Sequence, residues 1–206
     1  MKTRERIIHV SLELFNIYGE PNVTTLQIAD ELDISPGNLY YHYKNKAEII
    51  VELFSRYEQE IRNLLDVPPD ADFNLEDYWL FLHLIFECIA KYRFLYKDLV
   101  NILQRYDKLR HKFKKILSQK NESSRKICNS LRAQGVLLVN SEELATLCEN
   151  IVLISTYWPS YDMLNHIGTD KDIDLAKGIY QIMSLVASHL KSEEKDMVVA
   201  MAQQYL

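Results

Sequence analysis

The segment 35–46 carries side chains that suit contacts with DNA, and it contains no carboxylate. An asparagine amide can hydrogen-bond to a base edge, a phenol or an imidazole can reach a phosphate or a thymine methyl, and a lysine can hold a phosphate. A glycine at the start of the segment lets the backbone approach its target closely. The residues concerned are Gly37, Asn38, Tyr40, Tyr41, His42 and Lys46.

Two short helices must position this segment. Thr24 and Gln27 have the S/T-x-x-E/Q spacing of a capping box, which predicts a helix from about Thr25. Ser35 as N-cap and Pro36 at the first helical position predict a second helix. Because the break between them is short, the pair is predicted to be a helix-turn-helix that enters a DNA major groove. The leading helix adds Thr24, Thr25 and Gln27 to the predicted DNA-contacting residues.

The apolar spacing of the two helices predicts which face is buried. Leu26, Ala29 and Leu32 recur three residues apart on the first helix. Leu39 and Tyr43 are four apart on the second helix and are also predicted to face a core. The alternative is an ordinary helical corner whose aromatic residues are all core. An exposed polar and aromatic face has no packing role, which favours DNA binding.

The run 39–43, Leu-Tyr-Tyr-His-Tyr, followed by Lys46, resembles the recognition helix of the TetR family of bacterial regulators. The resemblance covers about the first fifty residues, including a bracing helix predicted from Arg4 to Tyr18. It departs at Tyr43, where phenylalanine is commoner. The resemblance implies a homodimer that binds double-stranded operator DNA and responds to a small-molecule effector.

Composition predicts an all-α protein. The 206 residues include only five glycines and five prolines, 48% are hydrophobic, and the apolar residues follow helical periods. We expect an N-terminal three-helix helix-turn-helix DNA-binding domain at 1–50 and a C-terminal helical ligand-binding and dimerisation domain at 51–206. The net charge of -5 predicts modest nonspecific DNA affinity, with dimerisation supplying a second recognition helix.

Several other classes lack support in the sequence. Three widely spaced cysteines, Cys88, Cys128 and Cys148, predict reduced core thiols. His83 and Glu87 are interpreted as a core pair, so we expect no metal and no cofactor. Neither a signal-peptide core nor eighteen consecutive apolar residues occur, so we expect a cytoplasmic protein without a membrane partner. No HExxH, GxSxG or phosphate-binding glycine loop is present, which argues against an enzyme.

The second domain is predicted to hold the effector pocket and the dimer interface. Residues 75–92 form the most apolar and aromatic helix, which is therefore expected to be central. The helices around 142–165 and 171–190 carry apolar stripes that can form a four-helix interface between two chains. The predicted pocket-lining residues are Trp79, His83, Phe86, Tyr92, Arg93, Tyr157 and Trp158.

A run of basic residues follows at 108–126, with eight Lys or Arg and one Glu. We interpret it as a solvated helix face, because charge runs usually serve solubility. The alternative is a surface that binds an anion or a second DNA phosphate.

Segments along nearly the full length resemble a narrower group, the PhaD-type regulators of polyhydroxyalkanoate gene clusters. This resemblance implies control of storage-polyester genes by a metabolite of fatty-acid oxidation, such as a fatty acid or an acyl-CoA. The alternatives are a multidrug-efflux repressor that responds to aromatic or cationic compounds and a helix-turn-helix module that binds only protein. The segments concerned are 1–4, 19–23, 76–84, 92–95, 180–183 and 205–206.

Overall fold

The computed structural model describes residues 2–166 and 174–202, and these form helices joined by short connections. The helices are α1 Thr3–Tyr18, α2 Thr25–Glu31, α3 Pro36–His42, α4 Lys46–Leu65, α5 Leu75–Lys91, α6 Arg93–Lys97, α7 Leu99–Arg105, α8 Asp107–Ala133, α9 Ser141–Asn165, α10 Leu175–Ala187 and α11 Ser192–Ala202. The predicted all-α architecture is confirmed. Within the described residues, extended pairing is limited to an isolated bridge between Leu137 and Leu190.

Parts of two predicted elements lie outside the described residues. These parts are 171–173 of the second interface helix and 203–206 at the end of the C-terminal domain. Among the residues described, no helix has the length and apolar character needed to cross a membrane.

Packing divides the chain into two compact units. The first contains residues up to Glu60 together with Tyr92–Phe113, and the second contains Ile61–Lys91 and the chain from Lys114 onwards. The boundary predicted at residue 50 separates two functions instead of two packing units, and it stays a prediction.

Aromatic rings form much of the core of the first unit. The ring centroids of Phe15 in α1 and Phe94 in α6 lie 5.4 Å apart. Tyr57 in α4 packs edge-on against Tyr92 and Tyr96. Such edge-to-face pairs stabilise by about 0.5–1.5 kcal/mol beyond the area they bury. They join α6 to the helix that follows the helix-turn-helix.

The second unit has a core formed mainly by α5, α8, α9 and α10. Gly178 in α10 permits the closest approach in this core. A Cβ at that position would lie 2.5 Å from the Phe86 ring and 2.7 Å from the Trp158 ring. Only glycine therefore lets α10 pack this closely on α5 and α9.

Candidate nucleic-acid interface and effector region

The capping box predicted for α2 is present. The backbone N–H of Gln27 donates to Thr24 Oγ1 at 3.2 Å, and the backbone N–H of Thr24 donates to Gln27 Oε1 at 2.8 Å. Both side chains therefore help to start the helix, although both residues are exposed. Their predicted contacts with DNA stay predictions.

The buried face of α2 was predicted only in part. Ala29 and Leu32 are buried as expected, but the prediction for Leu26 was wrong, because its side chain is 54% exposed. Ile28, which lies nearly opposite Leu26 around the helix, is fully buried instead. Ile28 and Leu32 are four residues apart and form the stripe that packs inward. Leu26 consequently adds an apolar group to the outer surface.

A Schellman motif sets the turn between α2 and α3. The N–H of Ile34 donates to the Ala29 carbonyl at 3.0 Å, and the N–H of Asp33 donates to the Asp30 carbonyl at 3.0 Å. Asp33 has a φ of 53°, in the left-handed region that glycine adopts most easily. The sequence analysis missed this position because it holds aspartate, which also tolerates this conformation.

Helix α3 is anchored by the two residues predicted to face inward. Leu39 is fully buried and Tyr43 is 2% exposed. The Tyr43 hydroxyl accepts a hydrogen bond from Arg4 Nε at 3.1 Å. Burial raises the pKa of Tyr43, and the hydrogen bond from Arg4 opposes that shift. This bond gives the hydroxyl a partner and explains how tyrosine fits where the family more often has phenylalanine.

The outer face of α3 presents polar and aromatic groups to solvent. Tyr41 is 84% exposed, and the His42 ring packs edge-on against it at a centroid distance of 5.1 Å. The hydroxyls of Tyr40 and Thr25 are 2.9 Å apart, so this pair links α3 to α2. Of the nine predicted DNA-contacting residues, Thr24, Gln27, Gly37, Asn38, Tyr40 and Tyr41 are exposed, and Thr25, His42 and Lys46 are half-buried.

Lys46 has protein partners that the sequence analysis did not predict. Its ammonium donates to the Glu20 and Val23 carbonyls at 2.9 and 3.0 Å and lies 3.0 Å from Glu20 Oε1. The fully buried Glu20 carboxylate also accepts a hydrogen bond from Arg105 at 2.6 Å. The carboxylate raises the pKa of the Arg105 guanidinium. Lys46 thus braces the start of α4 against the turn before α2, and its phosphate contact stays a prediction.

Four of the predicted pocket residues lie within the second unit. The rings of Trp79 and His83 in α5 have centroids 4.1 Å apart, and the His83 ring nitrogen Nδ1 lies 3.0 Å from the Trp79 carbonyl oxygen. Phe86 and Trp158 meet beneath Gly178. These four residues therefore form two separate pairs.

Tyr157 lies elsewhere, on an open face of α9. It is 47% exposed and lines a groove of about 350 Å³ together with Trp158. The other lining residues are Leu153, Ile154, Tyr161 and Gln181. An open apolar groove of this kind suits an interface at least as well as a small-molecule pocket.

Tyr92 and Arg93 belong to the first unit, unlike the other five predicted pocket residues. The Tyr92 hydroxyl donates to Glu60 Oε1 at 2.7 Å. Arg93 lines a surface groove beside Glu13, Asn16 and Glu31. The seven candidates do not share one site within either unit.

The basic run 108–126 is not a uniformly solvated face. Lys112 forms an ion pair with Glu58, and Lys126 donates to the Val67 carbonyl at 2.9 Å. Lys120 is only 3% exposed. The interpretation as a solvated face is therefore wrong for Lys120, since α8 packs on more than one side.

Comparison with known proteins agrees with this architecture. Residues 7–53 match the profile "Bacterial regulatory proteins, tetR family", and residues 56–198 match the profile "Bacterial transcriptional repressor". The chain belongs to the TetR family. The family assignment made from the recognition helix is confirmed, and members of this family are DNA-binding transcriptional regulators.

A solved relative covers this TetR-family chain almost completely. The TetR-family transcriptional regulator from Marinobacter aquaeolei VT8 is 34% identical, with a TM-score of 0.88, over 100% of this chain and 99% of its own. The regulator TtgW of Pseudomonas putida is 32% identical over 38% of this chain and 55% of its own length. The class C tetracycline repressor of Escherichia coli is 38% identical over 23% of this chain and 22% of its own. The chain thus spans about half or less of these curated relatives.

Proposed function

We propose that this TetR-family chain binds operator DNA as a homodimer and that a small apolar effector modulates the binding. The main support is the outer face of α3, where Asn38 and Tyr41 are exposed beside His42 on a segment without carboxylates. Amide and phenol groups on such a helix can read base edges and hold phosphates. Buried Leu39 and Tyr43 keep that face oriented outward.

The experiment is an anisotropy titration with a DNA duplex that the protein itself selects from genomic fragments. We expect Tyr41→Ala to weaken binding by roughly tenfold or more, because each lost base or phosphate contact costs about 1–3 kcal/mol. Tyr18→Ala is the matched control, since Tyr18 is 60% exposed but lies on α1. Equal affinity of the wild type and Tyr41→Ala would contradict the proposed interface. Failure to select any DNA would favour a protein-binding module.

The proposed homodimer uses α9 and α10. Leu153, Tyr157, Tyr161 and Leu164 follow one another at intervals of three or four residues on α9, and all are about half exposed or more. A contiguous apolar stripe of this kind marks a surface that another protein covers. A second copy of the same stripe is self-complementary across a twofold axis. It would present two copies of α3 to DNA, with about 34–36 Å between half-sites.

Dimerisation can be tested by light scattering during size-exclusion chromatography. We expect Leu153→Glu to shift the mass toward that of one chain and Leu80→Glu to leave it unchanged, because Leu80 is equally exposed but lies on α5. A dimer that persists in Leu153→Glu and Tyr161→Glu would contradict an interface on α9.

The proposed effector acts through the helical second unit, and the proposed targets are polyhydroxyalkanoate genes. The apolar residues shared by α5, α8, α9 and α10 offer an environment for an acyl chain. An effector that prefers one arrangement of the two recognition helices shifts the population toward or away from the DNA-binding spacing. Operator release by a fatty acid or acyl-CoA supports this proposal, whereas release by cationic drugs alone supports an efflux repressor.

A further inference from the structure

A lysine lies in the interior of the second unit. Lys120 is 3% exposed and extends from the middle of α8 toward α9. Four small hydroxyl residues nearby in sequence or space are also buried, at 2–4% exposure. They are Ser123, Ser124, Ser155 and Thr156. The interior therefore contains a polar patch, which is unusual because lysine is rarely fully buried.

Neutral oxygens of α9 surround the ammonium at long distances. Lys120 Nζ lies 3.3 Å from the Ser155 carbonyl, 3.5 Å from Ser155 Oγ and 3.3 Å from Thr156 Oγ1. Hydrogen bonds from nitrogen to oxygen are usually 2.7–3.2 Å long, and those to a carboxylate are shorter still. An anionic oxygen would thus be a closer and stronger partner than the three that α9 supplies.

The environment disfavours the charged form of this lysine. Burial lowers the pKa of Lys120 from 10.5 to about 7. Cys88 on α5 is the titratable group that acts on it, and a thiolate there would raise the pKa. From α9 the facing groups are hydroxyls and a carbonyl, which do not titrate. An apolar side chain would cost less at this position, so a buried lysine suggests a functional role.

We propose that Lys120 is the recognition point for an effector with one carboxylate and an apolar body. This inference rests on the proposed effector-responsive function and narrows its ligand class. The carboxylate would replace the long contacts with α9, and the Ser155 and Thr156 hydroxyls could donate to it. Ile151, one helical turn before Ser155, belongs to the apolar core that would hold the body of the ligand.

Charge decides between the candidate ligand classes. One buried ammonium neutralises one negative charge, whereas an acyl-CoA carries several phosphate charges whose burial costs far more. A cationic drug would be repelled by the same ammonium. A free medium-chain carboxylic acid therefore fits this site better than its CoA thioester or a cationic compound.

The test is isothermal titration of the full chain with decanoate, using 1-decanol and decanoyl-CoA as comparison ligands. We expect decanoate to bind and 1-decanol to bind at least about tenfold more weakly, because the charged hydrogen bond is lost. Lys120→Met should weaken decanoate binding to the level of the alcohol. Lys115→Met, on an exposed position of the same helix, should bind decanoate like the wild type.

Proton uptake gives a second readout that a purely structural lysine would not move. At pH 8 Lys120 is mostly neutral, and a bound carboxylate raises its pKa, so binding should take up close to one proton. Titrations in two buffers with different ionisation enthalpies measure this number. We expect uptake in the wild type and none in Lys120→Met. Equal decanoate affinity in the wild type and Lys120→Met, or binding without proton uptake, would overturn the proposal.

Operator binding without ligand separates this inference from the proposed function. If the chain binds its operator but decanoate neither binds nor changes operator affinity, only the carboxylate site is wrong. If no operator is bound while decanoate binding depends on Lys120, the site stands and the proposed regulatory function fails.

Discussion

Two lysines, one in each unit, occupy contrasting surroundings. Lys46 is paired with the buried Glu20 carboxylate and two carbonyls, and it keeps 27% of its side chain exposed. Lys120 faces neutral oxygens at 3.3–3.5 Å and is almost fully buried. A charge that has a close counter-charge and contact with water supports the fold. A buried charge with longer, neutral contacts opposes folding, and such groups concentrate at functional sites.

The largest effect is expected where this contrast predicts a gain in stability. Lys120→Met should stabilise the protein by roughly 2–4 kcal/mol near pH 7, because it removes a buried ammonium. Between pH 7 and 10.5 the unfolded chain holds the Lys120 proton and the folded chain releases it, so wild-type stability rises with pH. The advantage of Lys120→Met should therefore shrink as pH increases. Urea unfolding at pH 7 and 9.5, at one protein concentration, measures this.

The acid that distinguishes the first unit provides the next test. Glu20→Gln should lower the free energy of unfolding by roughly 2 kcal/mol, because it removes a buried carboxylate from two partly exposed cations. Glu13→Gln is the control, since its side chain is 57% exposed beside His9. Equal unfolding midpoints for the two variants would show that the Glu20 cluster does not brace this unit.

The same substitution at the two lysines should have opposite signs. Lys46→Met should destabilise by about 1 kcal/mol, because it leaves Glu20 with one cation and frees two carbonyls to partial solvent. Thermal unfolding of Lys46→Met and Lys120→Met in one buffer compares them directly. If both variants shift the midpoint in the same direction, the proposed difference between the two sites is incorrect.

The smallest expected effect concerns the turn that orients α3. Asp33→Gly should stabilise the first unit by up to about 0.5–1 kcal/mol, because glycine adopts a φ of 53° without strain. Asp33→Ala should destabilise, since alanine lacks the polar side chain that helps aspartate in this conformation. Chemical unfolding followed by circular dichroism ranks the three proteins. A glycine variant below the wild type would indicate that the aspartate side chain has another role.

Much of the DNA-binding motif could be predicted from local residues. The capping box at Thr24, the start of α3 after Ser35 and the inward direction of Leu39 depend on spacings of three or four residues. The burial of Leu26 was predicted wrongly, because its position beside Ala29 does not reveal which neighbours cover it. The Asp33 turn was missed because aspartate gives a weaker signal than glycine.

The effector region could be predicted much less well. Aromatic residues such as Trp79, Tyr92 and Tyr157 look equivalent along the chain, yet the structure places them in α5, in the first unit and on an open face of α9. Lys120 lies in a basic run that is typical of a solvated face. Helical periodicity shows that a residue shares a face with its neighbours, but not which helix meets that face.

The sequence by itself determined the helices, their starts and the outward-facing recognition surface, because capping and helical spacing act between residues close in the chain. Only the tertiary structure decided that Lys46 meets Glu20, that Gly178 admits Phe86 and Trp158, and that Lys120 is buried. The physical reason is that burial and counter-charge depend on residues far apart in sequence. These long-range contacts turn one lysine into a brace and make the other a candidate effector site.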